Sequence, residues 1–100
     1  MKTLELEFEG KGEVSGTIFK QLKKSEKAFM YELTDNETGQ KRYEVFEKRV
    51  SKEGEAIIGG QTVKYEEKET YPKSNCFGIW AWCISDYEKA IAKYDSLNAA

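Results

Sequence analysis

Apolar and polar residues alternate at the start of the chain. In "TLELEFE", Leu4, Leu6 and Phe8 share one side and Glu5, Glu7 and Glu9 the other, the period of a half-buried strand. "GKG" follows as a turn, and "EVSGTIFKQL" resumes the alternation with Val14, Gly16, Ile18 and Leu22. Pairing Phe8 with Val14, Leu6 with Gly16 and Leu4 with Ile18 keeps every apolar group on one face, whereas a one-residue slip would oppose leucines to Ser and Thr. Gly16 would then leave room for a large side chain from another layer. Phe19 falls out of phase, which requires a bulge or an outward-facing apolar residue.

"KAFMYELT" is expected as a third strand and "KRYEVFEKRV" as a fourth, ended by "SKEGE", with Tyr43 and Val45 inward and Phe46 a further inward candidate. "DNETGQ" between them is a turn, with Gly39 placed for left-handed backbone. "AIIGGQTVKYEEKET" has two readings: a short hairpin around Gly59 and Gly60, or a mobile loop tip. Pro72, the only proline, marks a break or an edge because it cannot donate to a ladder. "FGIWAWCI" is apolar at both parities, with Phe77, Ile79, Ala81 and Cys83 on one side and Gly78, Trp80, Trp82 and Ile84 on the other. This pattern predicts a last, central strand. "SDYE" reads as a capping box of Ser85 and Glu88. Tyr87, Ala90, Ile91, Tyr94 and Leu97 then form a helical stripe ending near Asn98.

The expected fold is α+β: an antiparallel β-meander of five or six strands with one C-terminal α-helix packed on one face, in a single domain spanning residues 1–100. A helix ~10–12 Å across shields only two or three strands spaced ~4.8 Å apart. The second apolar face therefore calls for a curled sheet, another subunit or a ligand.

Composition narrows the chemistry. Sixteen basic and eighteen acidic residues interleave to a net charge of -2, so no strong field draws in DNA or an anionic membrane. The densest basic run, Lys20, Lys23, Lys24 and Lys27, reads as a solvated hairpin tip, with a phosphate-contact patch as the other reading. No apolar window has signal-peptide or membrane-span length, so the expected setting is the cytoplasm. The chain has no histidine, which removes Ser-His-Asp and Cys-His catalysis and histidine metal sites. "EGKGEVSG" lacks the ending of a phosphate loop. No metal or other cofactor is expected. Glu66, Glu67 and Glu69 in "YEEKE" read as a solvated run rather than an acid/base pair. Cys76, near Lys73, reads as a small buried hydrophobe rather than a lowered-pKa thiol. It lies seven residues from Cys83, so in one straight strand the two would stand ~23 Å apart, and buried, reduced thiols are expected.

The candidate contact surface is Trp80 and Trp82, side by side on one strand face, with Tyr71 and Lys73 in the flank "YPKSNC". Core filling competes with an aromatic platform for a partner or for nucleic-acid bases. The flank holds one lysine, which favours a protein partner. Three readings follow: a non-catalytic interaction protein binding a protein partner or itself through an aromatic sheet face or strand edge, single-stranded nucleic-acid binding by stacking, and, weakest, a carboxylate- or Cys-based enzyme.

"LEFEGKGEVSG", "YEVFEKR" and "YPKSNCFGIWAW" together resemble a group of short bacterial proteins of unknown function, associated with Bacteroidetes genomes and their mobile elements. The resemblance implies a bacterial cytoplasm and an accessory role in phage or plasmid biology, and no activity, cofactor or catalytic residue.

Overall fold

The computed structural model describes residues 2–51 and 54–99, so Lys52 and Glu53 of the "SKEGE" segment lie outside the described residues. The fold is α+β. A five-stranded antiparallel sheet runs in the order β1 (Glu7–Glu9), β2 (Thr17–Lys24), β3 (Ala28–Asp35), β4 (Lys41–Glu47) and β9 (Ala81–Ile84). Between β4 and β9 the chain leaves the sheet. It forms a two-stranded ribbon of β5 (Val50–Ser51) with β8 (Lys68–Glu69), and a hairpin of β6 (Gly54–Ile58) with β7 (Gln61–Tyr65). Helix α1 (Tyr87–Ala99) closes the chain. None of the described helices is long and apolar enough to cross a membrane.

The first hairpin departs from the expected register. Phe8 pairs with Phe19, Glu7 with Lys20 and Glu9 with Ile18. The reason is local. Residues Gly12–Val14 form a 3-10 turn rather than strand, and Gly10 sits so close to them that a Cβ there would lie 2.4 Å from the Val14 carbonyl oxygen and 2.9 Å from the Phe19 ring. Gly16 does not make room for a side chain. It ends the turn at φ 84°, with open space where a Cβ would be. Phe19 is thus the inward residue, and Leu6, expected inside, is 71% exposed. The register is unbroken from Thr17 to Gln21, so no bulge puts Phe19 out of phase: Phe19 faces in and Ile18 takes the other face, while the one irregularity of β2 comes later, between Gln21 and Lys23.

The turn at "DNETGQ" forms as expected: the Asp35 carboxylate accepts from the Glu37 and Thr38 amides, and Gly39 takes φ 73°. Of the two readings for residues 54–65, the hairpin holds, with Gly59 and Gly60 both left-handed at its tip. Such a two-residue connection matches the twist of its strands.

The last strand is shorter than its apolar run, and it lies at the sheet edge rather than in the centre. Gly78, at φ 88°, turns the chain, so residues 78–80 precede the strand. Both parities of the run supply inward residues, although Ile79 and Cys83 are exposed. Trp82 and Ile84 lie opposite Val45 and Tyr43 on the helix side, and Ala81 lies opposite Phe46 on the other.

Helix α1 packs on β3, β4 and β9. Ala90, Ile91, Tyr94 and Leu97 meet Ala28, Met30, Tyr43, Val45, Leu22 and Ile84, and Tyr87 lies edge-on to Tyr43. Each fully buried side chain of this kind contributes roughly 1.5–3 kcal/mol. The N-cap is one residue later than the expected capping box: the Asp86 carboxylate accepts from the Lys89 amide at 2.9 Å. An aspartate there satisfies an orphan donor and also faces the positive end of the helix.

Candidate functional site: a groove on the aromatic face

The face opposite the helix is built from rings. Alternation in β2, β3 and β4 sends Phe19, Phe29, Tyr31, Leu33 and Phe46 to one side, where Phe8 and Tyr71 join them. Phe8 stacks on Phe19 at 4.7 Å, and Phe46 stacks on both Phe29 and Tyr31. Tyr71, on the irregular segment that crosses this face, stands edge-on to Phe8, Phe19, Tyr31 and Phe46 at 4.8–5.8 Å. Each such pair adds about 0.5–1.5 kcal/mol beyond area burial.

Irregular chain does not tile a sheet as a helix does, and a groove of about 1430 Å³ remains. Phe8, Phe19, Phe77 and Tyr71 supply apolar walls, and Arg42, Glu44 and Cys83 line it from the strands. Glu44 and Arg42 share the parity of Phe46, so the groove carries a carboxylate and a guanidinium on an otherwise aromatic face. The Tyr71 hydroxyl donates to Glu44 Oε1 at 2.6 Å. Burial raises the Glu44 carboxyl above its usual range, against the opposing effects of the Tyr71 hydrogen bond and of Arg42. Burial and the adjacent Glu44 charge push the Tyr71 phenol far up, so it remains a donor. Burial also raises the Cys83 thiol, with Glu44 adding and Arg42 opposing. This is the reverse of what an activated thiol needs. Chemically, the groove offers apolar contact and a shielded acceptor for a hydrogen-bond donor on a guest.

The expected surface residues separate. Trp80 packs on the aromatic face against Phe46, with the Arg49 guanidinium 5.1 Å from its ring. Trp82 points to the helix, where the Lys93 ammonium lies 3.8 Å from its ring centre. The pair forms no common platform, because the turn at Gly78 puts Trp80 outside the strand and breaks the assumed alternation. Tyr71 enters the site, as the ring above the sheet and the partner of Glu44. Lys73 is exposed and precedes the 3-10 turn Ser74–Cys76.

The thiols differ from expectation as well. Both are free, but Cys76 is only half-buried and Cys83 is exposed. Glu69 is the opposite case. Its run looked solvated, yet its side chain is 1% exposed and contacts Lys24 at 3.3 Å and Lys48 at 3.2 Å. Burial pushes its carboxyl up, and the Leu4 amide, Lys48 and Lys24 together reverse that and hold it low. Of the basic run, Lys20, Lys23 and Lys24 lie in β2 and Lys27 in the hairpin connection, and three of the four are engaged: Lys23 over Tyr94, Lys24 on Glu69, and Lys27 with the Asn98 carbonyl.

Sequence reasoning missed Phe8, Phe19, Arg42, Glu44, Phe77 and Cys83 as one site. The available signal was in "KRYEVFE", where the parity of Phe46 also carries Glu44 and Arg42. The chain matches no family model, no curated protein and no solved structure.

Proposed function

We propose that this is a non-catalytic binding protein whose aromatic sheet face takes an uncharged, apolar polypeptide segment into the groove beside Tyr71. The observation that carries this reading is the groove itself: about 1430 Å³, walled by phenylalanines, with the Glu44 carboxylate as a shielded acceptor. Pockets for small molecules usually measure ~300–1,000 Å³, so the space suits a stretch of chain better than a metabolite. Backbone amides of such a segment are the donors that Glu44 would accept from.

Fluorescence anisotropy with labelled, uncharged hexapeptides rich in Ile, Val and Phe tests the reading. Saturable binding is expected, weakened about tenfold or more by Phe77→Glu, which places a charge in the apolar wall. No saturable binding to any peptide up to millimolar concentration would contradict it.

A further inference from the structure

The β6–β7 hairpin is an apolar arm without a seat on its own molecule. Ile57 and Ile58 are 79% and 58% exposed. As neighbours on a strand they point to opposite faces, so the tip is apolar on both sides, a shape suited to insertion rather than to lying on a flat surface. From Ile57 to Thr62 the tip carries no charge in a chain that is one-third charged. Its ionic pair, Glu55 with Lys64, sits nearer the base. Among the described residues, each strand of the hairpin packs mainly against the other.

Among the described residues, none from the arm lines the groove of its own molecule. The arm leaves the body beyond β5 and β8, close to where β4 ends. The groove is lined instead by Arg42 and Glu44 of β4, Cys83 of β9 and the irregular chain at Tyr71 and Phe77. We infer that the arm of one molecule inserts Ile57 and Ile58 into the aromatic groove of a second copy, and that the exchange is reciprocal. The inference rests on the reading of the groove as a peptide-binding site and names its occupant.

Area argues for reciprocity. Stable interfaces bury ~1,200–2,000 Å² in total, and a single six-residue tip in one groove supplies only part of that. Two arms exchanged about a two-fold axis double the area and close the assembly. A one-way contact would leave an arm and a groove free at each end and build open chains. Inside the groove the isoleucines meet Phe8, Phe19 and Phe77, while Glu44 and Arg42 offer an acceptor and donors to the turn backbone of Gly59 and Gly60.

Sedimentation equilibrium of the full chain across micromolar to millimolar concentration tests this. The wild type is expected to dimerise. Ile57→Glu and Ile58→Glu are each expected to weaken the dimer about tenfold or more, without loss of the fold, since both side chains are already in solvent. Cys83→Arg, which fills the groove, is expected to weaken it similarly. Mixing the double arm variant with Cys83→Arg restores one arm–groove contact, so a heterodimer weaker than the wild-type dimer should appear in native mass spectrometry at the top of the concentration range, where neither variant pairs alone. A wild type that stays monomeric, a dimer indifferent to the arm substitutions, or a mixture that gives no heterodimer would overturn the inference. If hexapeptides still bind a monomeric wild type, the groove reading survives and only the arm is lost as its occupant.

Discussion

The two faces of the central sheet are closed by different means. On one, a regular helix lays Ala90, Ile91, Tyr94 and Leu97 over Met30, Tyr43 and Val45. On the other, stacked rings lie beneath an irregular segment whose Tyr71 stands edge-on to them, and a groove remains. The helix face buries its apolar residues against the helix. The aromatic face combines a core with a vacancy, and in that vacancy lies a carboxylate that has lost part of its hydration. One side of the sheet is thus closed by a helix and the other by irregular chain.

Substitutions should expose the difference. The largest effect is expected from Phe46→Ala. This ring is fully buried and touches Phe29, Tyr31, Tyr71 and Trp80, so its removal should lower unfolding free energy by about 3–5 kcal/mol. Met30→Ala on the helix face should cost about 2–5 kcal/mol while leaving peptide binding intact. Urea denaturation paired with anisotropy reads both. Equal loss of binding in the two variants would remove the contrast between the faces.

The two shielded carboxylates should respond oppositely to pH. Glu69 is held low in the fold, so its contribution is present above the unfolded carboxylate value of ~4.3 and lost as pH falls through its folded value. Glu69→Gln should cost about 1–3 kcal/mol at neutral pH and little in acid. Glu44 is held high, so its contribution is present below ~4.3 and is lost as pH rises through its folded value. Glu44→Gln should therefore raise neutral-pH stability and flatten the profile. Denaturation midpoints from pH 3 to 8 give the signs directly, and identical profiles for the two variants would contradict the assignment. A smaller effect, about 1 kcal/mol, is expected for Asp86→Ala through the lost helix cap, with no change in binding.

Much of this fold was legible in the residues, because period-2 and period-3.6 patterns survive wherever one face is buried. That is why β3, β4, the Asp35 turn and the helix stripe stand where the pattern put them. The failures have a common physical source. A tight approach at Gly10 and left-handed turns at Gly16 and Gly78 reset the alternation. A period read across them sent Phe19, Leu6 and Trp80 to the wrong places. The site was less legible still. Glu44, Tyr71, Phe77 and Phe8 come together through a crossing segment with no periodicity of its own. Glu69 looked solvated because its partners, Lys24, Lys48 and the Leu4 amide, are distant in sequence.

The central claim is that the aromatic face, and not the helix face, receives a guest. Amide chemical-shift mapping of the labelled protein during titration with an apolar hexapeptide tests it most directly. Shifts should gather at Phe8, Gly10, Phe19, Glu44, Tyr71, Phe77 and Cys83 and leave Ala90, Ile91 and Tyr94 unmoved. A response centred on the helix residues, or spread evenly over both faces, would contradict the account.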